Sequence, residues 1–97
     1  MLHIINKSPY DRPALDSVLK TGEGAVLFIE DGVYAAAKGG AVEAKIKAAQ
    51  GKLKFYALTQ DLEARGIADR VMDGITTVDY AGFVDLVAEN KTCQSWL

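Results

Sequence analysis

One thiol, one imidazole and a scatter of carboxylates are the groups in this chain with chemistry to offer. Cys93 is the single cysteine among 97 residues. A thiolate is both a nucleophile and a carrier of sulfane sulfur, so Cys93 is the candidate for either role. Lys91 is the nearby cation that would favour the thiolate, and no histidine stands beside it. So close to the C-terminus, a cysteine could hand over a persulfide from a mobile tail. The bland alternative is an inert thiol leading into a packed Trp96. His3, the only histidine, lies in the apolar run Leu2–Asn6. There a lone imidazole reads as a half-buried hydrogen-bonding group before it reads as a catalyst or ligand.

Glu30 and Asp31 are adjacent, so on a strand they would point to opposite faces. Paired acid–base work needs both carboxylates turned to one substrate. The expected role is a solvated strand end whose acids favour the next helix N-terminus. Asp61 and Asp79 read the same way. Neither G-x-G-x-x-G nor G-x-x-x-x-G-K-[ST] occurs, and Gly22-Glu23-Gly24 precedes a strand instead of following one. No phosphate loop is therefore expected. A lone cysteine closes no internal disulfide and cannot by itself ligate a structural zinc. No cofactor and no metal site are expected.

The elements that must position these groups follow one grammar. Lys52 to Gly66, KLKFYALTQDLEARG, begins as a strand with Leu53, Phe55, Ala57 and Leu58. It continues as a short helix with Asp61 and Glu63 early, Arg65 late and Gly66 to stop it. That is a βα unit with almost no connecting loop. Leu2–Asn6 suits a first strand, and Pro13 suits the start of a helix with Leu15, Val18 and Leu19 as its inward stripe. Ala25–Ile29 is a continuous apolar run, the pattern of a parallel strand covered on both faces. Val33–Ala37 and Ala41–Gln50 read as helical, the second with Val42, Ile46 and Ala49 inward. Ile67–Gly74 is irregular, with Val71 and Met72 inward. Ile75–Val78 is a short strand, and Asp79 caps a helix whose inward line is Tyr80, Phe83, Val84 and Val87, bordered by Leu86. Gly82 inside it suggests a close approach by another element, and Asn90 ends it. The tail to Trp96 and Leu97 suits a last strand or a neighbour's surface. The expected architecture is a three-layer α/β domain with a mostly parallel sheet, a single domain over 1–97.

In such folds ligands gather beyond the carboxyl ends of the strands. Asn6, Lys7, Ser8, Glu30, Asp31, Gly32, Thr59, Gln60, Asp61 and Asp79 are expected there. Eleven basic and thirteen acidic residues give a net charge of −2, with no basic block longer than Lys52-Leu53-Lys54. Strong direct nucleic-acid binding needs clustered cations and is not expected. The start MLHIINK lacks the features of a signal peptide, and no apolar run reaches the ~20 residues of a membrane span. The expected location is the cytoplasm. Hydrophobic residues make up 49% of the chain, which for so small a domain points mildly to a partner.

The segments LHIINKSP, FIEDGVYAA, KLKFYALTQDLEARG and VDYAGFVDL, with the closing QSWL, together resemble the DsrH/TusB family of intracellular sulfur-relay subunits. The resemblance spans Leu2 to Leu97. It implies a DsrE-like α/β fold. It also implies a heterohexamer with DsrE/TusD-like and DsrF/TusC-like subunits, to which a DsrC/TusE-like sulfur carrier docks. In that family sulfur travels as a cysteine persulfide, and the principal cysteine belongs to the DsrE/TusD-type partner. DsrH proteins carry another in the first helix, in the segment that reads LDSVL here, and the matching position is Val18. TusB-type chains lack it too. The resemblance thus implies an accessory subunit, without sulfurtransferase chemistry of its own, serving either oxidative sulfur metabolism or 2-thiolation of the tRNA wobble uridine. The DsrH-like wording favours the first and Val18 favours the second. Tyr34, Tyr80, Phe83 and Trp96 are candidate interface anchors, each equally suited to a core role, and Tyr10 is the tyrosine expected to be most exposed. Two alternatives stay open: an active persulfide carrier through Cys93, and a stand-alone homo-oligomer with a binding or regulatory role.

Overall fold

The run Ala25–Phe28 is buried throughout, as a strand with neighbours on both edges and layers on both faces must be. A computed structural model describes residues 1–10 and 14–96 and places this run in the middle strand of a five-stranded sheet. The strands are β1 (Leu2–Ile5), β2 (Gly24–Phe28), β3 (Leu53–Leu58), β4 (Ile75–Val78) and β5 (Cys93–Trp96). Their order across the sheet is β4-β3-β2-β1-β5, and every pairing is parallel. The helices are α1 (Ala14–Thr21), α2 (Glu43–Ala49), α3 (Thr59–Ala64) and α4 (Tyr80–Glu89). Two 3-10 helices, Glu30–Ala36 and Ala68–Arg70, complete the connections. The fold is the three-layer α/β arrangement that the pattern of elements implies.

The topology decides which helix covers which face. Steps from β1 to β4 all run in one direction across the sheet, and the last connection returns to the opposite edge. With crossovers of the usual right hand, that reversal sends the last helix to the other face. The buried residues divide accordingly. One cluster joins Val26, Phe28, Leu53 and Phe55 of the sheet to Leu15 and Val18 of α1, Ile46 of α2 and Leu62 of α3. Phe28 and Phe55 stack within it, ring centroids 6.1 Å apart and planes 9° from parallel. The second cluster is small: Leu2, Ala25, Leu27 and the Leu86 of α4, with Ile4, Ile29, Tyr56, Val78 and Phe83 only partly buried around it. Among the described residues a single helix, α4, covers that face.

Local chemistry ends the elements where it should. Gly22, with φ of +72°, turns the chain out of α1 in the left-handed region that glycine favours. β3 passes into α3 between Leu58 and Thr59 with no intervening residue. The Asp79 side chain accepts the Gly82 backbone N–H at 2.9 Å and caps α4. Some expectations need correction. The segment after β2 forms a 3-10 helix that begins at Glu30, three residues ahead of the expected start, and α2 is shorter than Ala41–Gln50. The inward face of α4 is not Tyr80, Phe83, Val84 and Val87. Leu86 is its buried residue and Phe83 is half-buried, while Tyr80, Val84 and Val87 are exposed. Leu86, Phe83, Val87, Tyr80 and Val84 form one broad apolar arc opposite Asp85 and Glu89, so periodicity alone does not choose which part of it faces in. The expected helix start at Pro13 and the terminal Leu97 lie outside the described residues.

Candidate functional site

At the carboxyl end of the sheet two βα junctions meet. β2 leaves the sheet through Ile29 and turns at Glu30, a non-glycine residue with φ of +48°. β3 leaves directly into α3. The junctions are fastened by side chains from both. The Glu30 backbone N–H donates to Asp61 Oδ2 at 2.7 Å. Arg65 at the end of α3 donates from Nε to Asp31 Oδ1 at 3.0 Å, with Nη2 2.9 Å from the same oxygen. Its Nη1 donates to the Asp61 carbonyl at 3.3 Å and lies 3.7 Å from Asp61 Oδ1. Gly32 lies against β1, where a Cβ would run into the Ile5 carbonyl oxygen.

This geometry gathers Glu30, Asp31, Gly32 and Asp61 in one place, as strand-end residues of neighbouring β2 and β3 should be. It also spends their chemistry. The Asp31 carboxylate accepts from the Arg65 guanidinium, and the Asp61 carboxylate accepts the Glu30 backbone N–H with the guanidinium at an ion-pair distance of 3.7 Å, so the two carboxylates act as braces between junctions. Glu30 and Asp31 stand in a 3-10 helix, not on a strand. Asp79 is the α4 cap. Ser8 is buried, its Oγ accepting the Tyr10 N–H at 3.2 Å, and Asn6 Oδ1 is buried without a hydrogen-bond partner among the described residues. Arg65, the cation that organises the group, was expected only to favour the end of its helix. Its distant partner Asp31 gives no local signal.

The single thiol lies elsewhere. Cys93 is exposed at the start of β5, in register with Leu2 of β1, and so on the α4 face of the sheet. The Leu2 N–H donates to the Thr92 carbonyl at 2.9 Å, so the backbone leading to Cys93 is tied into the sheet. Val18, the position that the family resemblance matches to an acceptor cysteine, is fully buried between α1 and the sheet. His3 is buried, and its Nδ1 accepts the Trp96 Nε1–H at 3.3 Å. Burial chiefly holds the imidazole below its usual pKa, with the terminal ammonium acting in the same sense and the Glu23 backbone opposing both. A cleft of about 460 Å³ opens beside it, lined by Met1, Thr21, Glu23 and Gly24.

The four aromatic candidates do not converge. Tyr34 is exposed on the first 3-10 helix, Trp96 packs against the larger core from the sheet edge, Phe83 rests on the smaller core, and Tyr80 stands out from α4. Tyr10 and Tyr80 are equally exposed at 58%. The Tyr10 hydroxyl accepts the Ala41 N–H at 3.3 Å. What the sequence reading missed is the company Tyr80 keeps, since Val84 and Val87 lie exposed along the same helix. Among the described residues no three His, Cys, Asp or Glu side chains come together as a metal site, and no helix is long and apolar enough to cross a membrane.

The family described as DsrH like protein matches residues 7–93. A protein named TusB from Escherichia coli O81 (strain ED1a) is 36% identical over 99% of this chain and the whole of its own length. The protein TusB of Photorhabdus laumondii is 35% identical over the same shares. Among solved structures, a protein of unknown function, MTH1491 from Methanobacterium thermoautotrophicum, superposes with a TM-score of 0.81 at 17% identity, covering 98% of this chain and 96% of that one. The ychN protein of E. coli superposes with a TM-score of 0.78 at 15% identity, covering 98% and 97%. Those two likenesses establish the fold.

Proposed function

The chain belongs to the DsrH-like family, and from that premise we propose that it is an accessory subunit of a cytoplasmic sulfur-relay complex, assembled with DsrE/TusD-like and DsrF/TusC-like subunits. The observation that carries this reading is Val18. Where family members with an acceptor have a cysteine in the first helix, this chain has a valine with no exposed surface. Valine has no atom that accepts sulfane sulfur, and the position faces the core, not a donor. The chain's contribution is then its surface: it completes the assembly on which a partner's cysteine passes a persulfide to a small DsrC/TusE-like carrier. Full-length relatives named TusB support the branch that serves 2-thiolation of the tRNA wobble uridine.

The test is genetic and chemical together. Deleting the gene in its host should abolish 2-thiouridine in the affected tRNAs, measured by nucleoside mass spectrometry. Cys93→Ser should restore it fully, because no sulfur passes through this chain. Failure of Cys93→Ser to complement, with the protein present at normal level, would overturn the accessory role in favour of a carrier. The exposure of Cys93 is what keeps that second reading specific. A deletion that leaves 2-thiouridine intact and impairs sulfur oxidation would move the relay to the oxidative branch.

A further inference from the structure

The amino ends of the strands, opposite the braced junctions, carry two clefts joined by a lysine. One, of about 300 Å³, lies between the last turns of α1 and α2. Buried Leu53 and half-buried Leu19 and Ala49 floor it, and exposed Lys20, Lys45 and Lys52 rim it. The other, of about 400 Å³, lies between β3 and the end of α4, with Lys52 again, Lys54, Tyr56 and Glu89 on its walls. The lysines thus run from one face of the sheet to the other around its amino end.

Local structure accounts for only some of these cations. Lys20 ends α1, where a positive charge suits the helix carbonyls, and Lys45 pairs with Asp16 at 3.0 Å. Lysine is disfavoured within strands, yet Lys54 stands in β3, turned to the α4 face because Leu53 and Phe55 turn to the larger core. Lys20, Lys52 and Lys54 are in no ion pair among the described residues, and neither is Glu89, the one acid on either wall. Unpaired cations held around an apolar floor complement an anion that brings apolar surface with it.

We propose that this lysine track docks an acidic peptide segment of a partner protein, one with an apolar side chain between its carboxylates. The apolar side chain fills the smaller cleft, and the carboxylates meet Lys20, Lys52 and Lys54. Two clefts joined around the end of a sheet suit an extended chain better than a compact anion, and an apolar floor offers a phosphate nothing. Glu89 in the track and a net charge of −2 oppose a nucleic acid. The site goes beyond the subunit role proposed above and does not depend on it.

The experiment is fluorescence anisotropy of a short fluorescein-labelled peptide, glutamates flanking a central leucine, titrated with the full chain. Wild type is compared with Lys52→Glu, with Lys54→Glu, and with the control Lys7→Glu, an equal change of charge beyond the carboxyl end of β1. All three lysines are exposed, so the thermal midpoints should match wild type, which separates lost binding from unfolding. Wild type should bind, more weakly as salt rises. Lys52→Glu and Lys54→Glu should each weaken binding by about tenfold, while Lys7→Glu should bind nearly as wild type does. Serine in place of the peptide's leucine should weaken binding, and glutamines in place of its glutamates should abolish it. No binding by wild type, or a loss in Lys7→Glu equal to that in Lys52→Glu, would overturn the site. Undiminished binding of the serine or the glutamine peptide would overturn the partner chemistry assigned to it. Tighter binding of a single-stranded oligonucleotide, lost in Lys52→Glu, would overturn the peptide and give the track to a nucleic acid.

Discussion

The indole N–H of Trp96 donates to Nδ1 of His3 at 3.3 Å, joining the last strand to the first across 93 positions of sequence. The rings lie 6.1 Å apart and tilted by 43°. An imidazole that accepts at Nδ1 carries its proton at Nε2, the nitrogen nearest Gly24. This pairing matters because β5 has little else. Cys93, Gln94 and Ser95 are exposed, and Trp96 is the one β5 side chain that packs against the core.

Protonating His3 turns Nδ1 into a donor facing a donor, so acid should loosen the strand. The imidazole's pKa lies below the ordinary 6.5 in the folded chain, chiefly through burial. The unfolded chain therefore binds the proton first. The stabilisation is complete above the unfolded value and is lost as pH falls from about 6.5 through the folded pKa. Trp96 is the only tryptophan, so its fluorescence reports this strand alone. A reversible emission shift is expected in the wild type as pH falls below about 6.5. It should be absent in His3→Gln, whose amide oxygen accepts without titrating. The same shift in His3→Gln would assign it to another group.

Val18→Cys places a thiol at the position that the family resemblance matches to an acceptor cysteine, and tests whether that position is usable in this fold. The swap is close in volume and should cost less than about 1.5 kcal/mol. Since Val18 has no exposed surface, the new thiol should stay silent towards a disulfide reagent under native conditions. Cys93, exposed on β5, should account for one equivalent of reaction, with the second appearing only in denaturant. Two rapid native equivalents would mean that α1 opens readily.

What the sequence disclosed is what local rules determine. The Ala25–Ile29 run, the Leu58–Thr59 junction and the Asp79 cap each depend on a few consecutive residues, and each formed as read. The pairs that fasten the fold depend on topology. Asp31 and Arg65 are 34 positions apart, and they meet because β2 and β3 are neighbours whose exits share an end of the sheet. The orientation of α4 was illegible for a related reason. With Tyr80, Phe83, Val84, Leu86 and Val87 all apolar, the side facing the sheet depends on where the chain must go to reach the far edge. The braced carboxylates at the strand ends were placed correctly by the parallel-sheet rule, but their common partner was not.

Removing the brace at the carboxyl end should separate the contributions of its members. Arg65→Ala loses an ion pair with Asp31, which is largely exposed, and should cost about 1 kcal/mol. Asp61→Ala loses the guanidinium contact and also the hydrogen bond from the Glu30 N–H to a charged acceptor, so it should cost more, about 1–3 kcal/mol. Gly32→Ala should be worst, because its Cβ meets the backbone of β1 and backbone cannot step aside. A loss of about 3 kcal/mol or more is expected. Urea titrations that rank the three in another order would show that the junction is held by something other than these contacts.

Gly82 gives a test in which intrinsic preference and packing disagree. In a helix interior, alanine is favoured over glycine by about 1 kcal/mol. At this position an added Cβ would sit 2.9 Å from Val78 Cβ and 3.6 Å from Asp79 Oδ1. The first contact is too close, and relieving it tips α4 away from the end of β4 and strains the cap. Gly82→Ala should therefore lower stability where propensity alone would raise it. Asp79→Ala should cost about 1 kcal/mol through the lost cap, or about 4–8 °C in thermal midpoint for a domain of this size. Combined, the two should cost less than their sum, since without the cap the first turn of α4 is free to move away from Val78. Gly82→Ala raising the midpoint, alone or with Asp79→Ala, would show that α4 is not seated against Val78 as described.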